Sequence, residues 1–95
     1  MDEFLVLPGK FYLGKLLSTR GVEATIAIED VEKAIDRHLY GDWGDLDPAD
    51  WEENELSLKE GFRLLSAYHD RNGVKFWIIT EADRSVTTVL LPEEY

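Results

Sequence analysis

The sequence predicts a single α+β domain over residues 1–95, with a mostly antiparallel sheet of four to five strands and two helices packed on one face. Three observations favour this class. Short apolar runs bounded by turn residues occur near both ends of the chain, apolar residues at helical spacing occur in the middle, and 95 residues supply one hydrophobic core.

The first half of the chain predicts strands and then an amphipathic helix. The apolar runs 4–7 and 11–17 are separated by a Pro-Gly turn, which favours a β-hairpin. Residues 22–28 fit either a strand or a short helical turn. In residues 29–40 apolar side chains recur every three or four positions, the spacing of one helix face, and Gly41 predicts the end of that helix.

The second half predicts a capped helix and then a C-terminal three-stranded meander. Asp47 is suited to accept backbone N–H bonds at a helix start, Pro48 suits the first helical position, and Gly61 predicts the end. A two-residue type I′ turn at Asn72-Gly73 is expected between the first two strands. The strands of the meander are predicted at 64–70, 74–80 and 85–91.

The predicted turn sets a register and therefore two sheet faces. With a two-residue loop, Ala67 pairs with Ile78 and Tyr68 with Trp77. Both faces are then apolar, so the helices cover one, and the other meets the N-terminal segment, a partner or a second copy. One face carries Leu65, Ala67, Phe76, Ile78, Val89 and Leu91, and the other carries Leu64, Tyr68, Trp77, Ile79, Val86 and Leu90.

Negative charge is concentrated in one stretch. The chain has 20 Asp and Glu against 10 Lys and Arg, a net charge of −10, which disfavours direct nucleic-acid binding. Residues 42–60, called here the acidic segment, hold eight carboxylates and one lysine. They fit a solvated helix face, or a surface that docks on a basic partner as a phosphate backbone does. The candidate partner-binding residues are Asp42, Trp43, Asp45, Asp50, Glu52, Glu53 and Glu55, where Trp43 is either the aromatic anchor or a core residue.

Metal, cofactor and catalytic chemistry are not predicted. A calcium loop fits the acidic segment poorly, because Pro48 follows Asp47 and the glycine that such a loop needs is missing. The chain has no cysteine, no glycine-rich phosphate loop and no nucleophile motif, and both His38 and His69 fit structural roles. An enzyme would need a pocket that holds both His69 and a buried carboxylate.

Three stretches resemble one family of small bacterial proteins. They are GDWGDL at 41–46, RLLSAY at 63–68 and FWIITEADRSVTTVLLPEEY at 76–95. These stretches are similar to the proteins usually labelled plasmid-related protein, which are carried on plasmids and other mobile elements. The resemblance implies a context and no catalytic residues, since small acidic proteins of mobile elements often counter host defence by blocking CRISPR or restriction complexes.

We therefore expect a cytoplasmic, non-enzymatic binding protein that needs no cofactor. Neither a signal peptide nor a membrane span is predicted. The expected partner is a basic surface of a nucleic-acid-binding host-defence complex, inhibited in anti-CRISPR or anti-restriction fashion by a DNA-mimic-like carboxylate surface. The alternative is a structural or regulatory homodimer that buries the sheet face around Tyr68, Trp77 and Ile79, and high salt would weaken only the first kind of interface.

Overall fold

The computed structural model describes residues 9–95, which form a four-stranded sheet and three α-helices. The strand predicted at 4–7 lies outside the described residues, and its hairpin with it. The elements in chain order are β1 (Lys15–Ser18), α1 (Arg20–Thr25), α2 (Ile28–Leu39), α3 (Pro48–Glu60), β2 (Leu64–His69), β3 (Lys75–Thr80) and β4 (Val86–Leu90), and a 3-10 turn at Pro92–Glu94 follows.

Side-chain caps begin two of the helices. Thr19 Oγ1 accepts a hydrogen bond from Val22 N at 3.2 Å before α1, and Asp47 Oδ1 accepts one from Asp50 N at 2.9 Å before α3. Gly61 ends α3 in the left-handed conformation, with φ at 80°. The two predicted helices are confirmed as α2 and α3, and of the two alternatives left open for residues 22–28, the short helical turn agrees with α1.

The sheet is mixed, because its first strand pairs with its last. The strand order is β1-β4-β3-β2, and β2, β3 and β4 form the predicted antiparallel meander. β1 runs parallel to β4 and is shorter than predicted, with four residues instead of the whole run 11–17. The sequence left the pairing of this strand with the meander open, and its long connection to β4 permits the parallel pair.

The hairpin between β2 and β3 is one residue longer than predicted. Tyr68 pairs with Phe76, not with Trp77, and the loop spans residues 71–73. Asp70 explains the longer loop, because its Oδ1 accepts hydrogen bonds from the N–H groups of Asn72 and Val74, each at 2.8 Å. Gly73 N then donates to Asp70 O at 2.9 Å, and the glycine takes a positive φ of 81° that suits a three-residue loop.

This shift of one residue exchanges the faces of β2 relative to β3. Tyr68 lies on the core face beside Phe76, and helices α1 and α2 cover this face with residues such as Val22 and Val31. The other face, called here the open face, contributes no residue to this hydrophobic cluster within residues 9–95. The buried core face carries Leu64, Ser66, Tyr68, Phe76, Ile78, Thr80, Thr87 and Val89, and the open face carries Leu65, Ala67, Trp77, Ile79, Thr88 and Leu90.

The loop contacts of Asp70 give a first prediction. Asp70→Ala is expected to lower the free energy of unfolding by about 1–3 kcal/mol, because two backbone N–H groups lose their acceptor. Asp70→Asn retains an acceptor oxygen and is expected to lower it by about 1 kcal/mol or less. Urea unfolding at pH 7, followed by tryptophan fluorescence, measures both. Equal losses in the two variants would show that the side chain does not stabilise the loop in this way.

Candidate functional site

Hydrogen bonds to the outer edge of β2 position the candidate site. Asn54 on α3 pairs with both backbone groups of Leu65: its Nδ2 donates to Leu65 O at 2.5 Å, and its Oδ1 accepts from Leu65 N at 3.1 Å. Further along the strand, Ala67 N donates to Trp43 O at 3.2 Å, and Ala67 O accepts from Asp45 N at 2.7 Å. The edge of β2 is therefore occupied, and α3 is held beside the sheet.

Trp43 belongs to the core of this edge. Its side chain is 0% exposed and packs with Phe11 and Leu64, and its Nε1 donates to Glu55 Oε2 at 2.7 Å. At the next residue, Gly44, a Cβ would lie 2.0 Å from a carbonyl oxygen of β2, so only glycine allows this approach. The prediction that Trp43 anchors a partner is wrong, because its ring is buried in the core. The hydrogen bond from Trp43 Nε1 also engages the carboxylate of Glu55.

A groove of about 680 Å³ opens between α3 and the open face of the sheet. One wall is a face of α3 on which Asp50, Glu53, Asn54 and Ser57 follow helical spacing, and residues 45–47 continue this wall. The floor and the far end bring together residues from β2, β3 and the end of the chain, namely Arg63, Leu65, Ala67, Lys75, Trp77 and Tyr95.

Four carboxylates line this groove, those of Asp45, Asp47, Asp50 and Glu53, and are called here the acidic wall. Within residues 9–95, none of the four forms an ion pair with a lysine or arginine. Asp45 Oδ2 lies 2.6 Å from Nδ1 of His69, and Asp47 caps α3. Because Asp50 and Glu53 lie about 5–6 Å apart on the exposed helix, their charges reinforce one another.

The other predicted acidic residues do not face the groove. Asp42 forms a two-pronged ion pair with Arg37, at 2.7 and 3.2 Å, and this hydrogen bonding lowers the pKa of the Asp42 carboxyl. Glu55 is bonded to Trp43, as described. Glu52 is exposed on another side of α3, since residues two positions apart do not share a helix face. Three of the seven predicted partner-binding residues therefore lie together in the groove.

The sequence did not predict the basic and aromatic end of the groove. Arg63 Nη2 donates to the hydroxyl of Tyr95 at 2.6 Å, and the guanidinium carbon lies 5.1 Å from the centre of that ring. The Tyr95 ring in turn meets Trp77 edge-on, with the ring centres 5.8 Å apart. These residues are distant in sequence, so only the polar stripe at 50, 53, 54 and 57 of α3 could have indicated a groove.

The residues of the predicted dimer face are separated by the sheet. Trp77 is half-buried in the floor of the groove, and Ile79 lies on the same face but is buried. Tyr68 lies on the opposite face, where its hydroxyl donates to Asp42 O at 2.7 Å. The prediction that Tyr68 shares a face with Trp77 is wrong, because the hairpin register differs by one residue.

The two histidines differ in their access to solvent: His38 is buried, whereas His69 is exposed and its Nδ1 lies 2.6 Å from Asp45 Oδ2. His38 Nδ1 lies 2.5 Å from Ser66 Oγ, and its Nε2 lies 2.9 Å from Thr80 Oγ1, but all three residues are 0% exposed, so no substrate reaches them. His69 and the buried Asp70 border a second cleft of about 300 Å³. This is the combination that an enzyme would need, but each group is engaged elsewhere: Asp70 Oδ1 accepts hydrogen bonds from the loop, and His69 Nδ1 lies 2.6 Å from Asp45 Oδ2.

His38 is the centre of a buried polar chain. Thr80 Oγ1 continues the chain to Thr87 Oγ1 at 2.8 Å, and Thr87 Oγ1 donates to Leu13 O at 2.6 Å. Burial lowers the pKa of His38 to about 3, and the charge of Arg84 acts in the same direction. The neutral imidazole therefore joins α2 to three strand residues without introducing a charge into the core.

Comparison with known proteins adds no relative: no family model, no curated protein and no solved structure matches the chain. Over the described part of the chain, no helix has both the length and the apolar character needed to cross a membrane. Residues 9–95 also contain no group of three or more His, Cys, Asp or Glu side chains placed to hold a metal ion. The function is therefore inferred from the groove itself.

The closure of the β2 edge gives a second prediction. Asn54→Ala is expected to lower the free energy of unfolding by about 2–4 kcal/mol, because both backbone groups of Leu65 lose their partners. Urea unfolding measures the loss, and amide hydrogen exchange at Leu65 should become faster. Glu53→Ala on the same helix is the control and should leave the Leu65 amide protected. A Leu65 amide that stays protected in Asn54→Ala would contradict this account.

The buried His38 gives a third prediction. In the unfolded chain this imidazole takes up a proton below pH about 6.5, whereas in the folded protein it does so only near pH 3. Above pH 6.5 this group does not lower the free energy of unfolding. As the pH falls from 6.5 toward 3, protonation favours the unfolded chain, and the free energy of unfolding decreases. Between pH 7 and pH 5 the loss is expected to be about 2 kcal/mol.

Urea unfolding at the two pH values measures this loss, and His38→Gln is the matched control. Glutamine keeps a donor and an acceptor but does not titrate, so the other ionisable groups contribute equally to both proteins. The free energy of unfolding should fall less with pH in His38→Gln than in the unaltered protein. Identical losses in both proteins would assign the acid sensitivity to other groups.

Proposed function

We propose that this protein is a non-enzymatic binding protein that places its acidic wall against a basic surface of a nucleic-acid-binding protein. In its sharpest form the proposal is an inhibitor from a mobile element that blocks a host-defence complex by occupying a phosphate-binding surface. The observation that carries the proposal is the row of carboxylates of Asp45, Asp47, Asp50 and Glu53 along one wall of the groove.

The way in which these carboxylates are held favours binding. Duplex DNA carries one charge for about every 1.7 Å of its axis, so a basic surface built for DNA presents closely spaced cations. Asp50 and Glu53 project from a helix that Asn54 fixes to β2. Little backbone freedom is therefore lost when a partner binds, which leaves more of the ion-pair energy as affinity.

The distribution of charge supports the same class of partner. A net charge of −10 attracts a basic protein over a distance set by the ionic strength and repels free nucleic acid. Asp42 and Glu55 contribute less to such a surface, because Arg37 and Trp43 already contact them. The resemblance to plasmid-related proteins is the reason for expecting the partner among host-defence complexes.

A homodimer through the floor of the groove is the second candidate. The observation that favours it is the aromatic pair of Trp77 and Tyr95, of which Tyr95 is 70% exposed. Sedimentation equilibrium at low and high salt tests this candidate. An apolar dimer should persist at high salt, whereas a monomer at every concentration would exclude it.

A fourth prediction tests the acidic wall directly. The variant Asp45→Asn/Asp50→Asn/Glu53→Gln is expected to lose about threefold to 150-fold in affinity for the partner, since three exposed ion pairs each contribute about 0.2–1 kcal/mol. The tagged protein is immobilised, loaded with a bacterial lysate at low salt and eluted with a duplex DNA oligonucleotide. Quantitative mass spectrometry of the eluate should recover nucleic-acid-binding proteins with the unaltered protein and not with the variant.

The control for this experiment removes the same number of charges elsewhere. Glu32→Gln/Asp36→Asn/Glu93→Gln changes exposed carboxylates outside the groove and should recover the same proteins as the unaltered chain. The proposal would be wrong if duplex DNA eluted nothing, or if the two triple variants recovered the same proteins.

A further inference from the structure

The groove presents carboxylates and aromatic rings, and an arginine side chain can bind both at once. Its acidic wall offers carboxylates, and its floor offers the indole of Trp77 next to the ring of Tyr95. A guanidinium group forms paired hydrogen bonds with a carboxylate and also stacks on an aromatic face, which an ammonium group does less well. The groove therefore favours arginine over lysine.

We propose that the groove binds a helical segment of a partner protein that presents arginines beside aliphatic side chains. This inference rests on the proposed binding function and names the chemistry of the partner. The arginines would lie along the acidic wall and over Trp77, and an aliphatic side chain would lie against the half-buried Leu65. Recognition of this kind lays one amphipathic face of a helix into a groove.

The closed edge of β2 excludes the other common way of binding a peptide at a sheet. A peptide that adds a strand needs free backbone N–H and C=O groups at the edge. On β2 these groups are used at Leu65 by Asn54 and at Ala67 by Trp43 and Asp45. A partner at this groove is therefore recognised by its side chains, which suits a helix.

Charge complementarity favours a basic partner over a second copy of this chain. The acidic wall holds four carboxylates, and the cations that line the groove are Arg63 and Lys75. In a symmetric pair of copies, eight of these carboxylates would meet only four of these cations, so negative charge would remain unbalanced. Among residues 9–95, arginine already lies over tyrosine at two places, Arg63 over Tyr95 at 5.1 Å and Arg37 over Tyr68 at 4.8 Å.

A peptide titration tests this inference. The probe is an alanine-based peptide of about 15 residues, long enough to form a helix, with arginines at helical spacing and leucines beside them. A second peptide has the same composition in scrambled order, and a third has lysine in place of each arginine. Each is added to the isotope-labelled full chain, and NMR follows the backbone amides and the tryptophan indole N–H groups.

The patterned arginine peptide should shift the Trp77 indole and the amides of residues 45–57 and 65–67, and it should bind more tightly than the other two peptides. Lys75→Glu makes the groove more acidic without touching the core, and it should tighten binding by about twofold to fivefold. Lys15→Glu makes the same charge change on β1, outside the groove, and should leave the affinity unchanged.

The inference would be overturned by an unmoved Trp77 indole, by equal affinity for the patterned arginine peptide and either of the other peptides, or by equal effects of the two lysine variants. Shifts that depend on protein concentration alone would assign the groove to a second copy and would also overturn it. The proposed function fails separately, when duplex DNA elutes no partner from the immobilised protein even though the peptide binds as expected.

Discussion

The pairing of Asn54 with the backbone of Leu65 is the contact on which the candidate site depends. An edge strand with free backbone groups invites uncontrolled pairing, and here a side chain and residues 43–45 occupy that edge instead. The same contact sets the position of α3. Because α3 stands beside the sheet and not on the open face, its polar stripe and the floor around Trp77 form two sides of one groove.

The core on the other face depends on a polar chain as well as on apolar packing. His38 hydrogen bonds to Ser66 and Thr80, and Thr87 extends the chain toward Leu13. Each buried side-chain polar atom in this hydrogen-bonded series has a partner, which removes the large free-energy penalty of burying it. These hydrogen bonds also join α2 to three strands and hold the helix over the core face.

The acidic segment illustrates how a fold divides a cluster of charges. Asp42 and Glu55 are engaged by Arg37 and Trp43, and they hold the segment together. Asp45, Asp50 and Glu53 lie in the groove without a lysine or arginine partner among residues 9–95. Part of the negative charge therefore stabilises the protein, and part of it stands on a surface that the proposed partner would meet.

The elements whose causes are local can be predicted from the amino-acid sequence. Asp47, Pro48 and Gly61 delimit α3 because caps and a left-handed glycine act within one turn, and the apolar spacing of α2 needs no distant partner. The hairpin register depended on Asp70, whose two hydrogen bonds favour a longer loop than Asn72-Gly73 indicates. The hairpin register that Asp70 favours places Tyr68 in the core. The burial of Trp43, the parallel pairing of β1 with β4 and the meeting of Arg63 and Tyr95 with α3 follow from long-range packing, which local pattern does not encode.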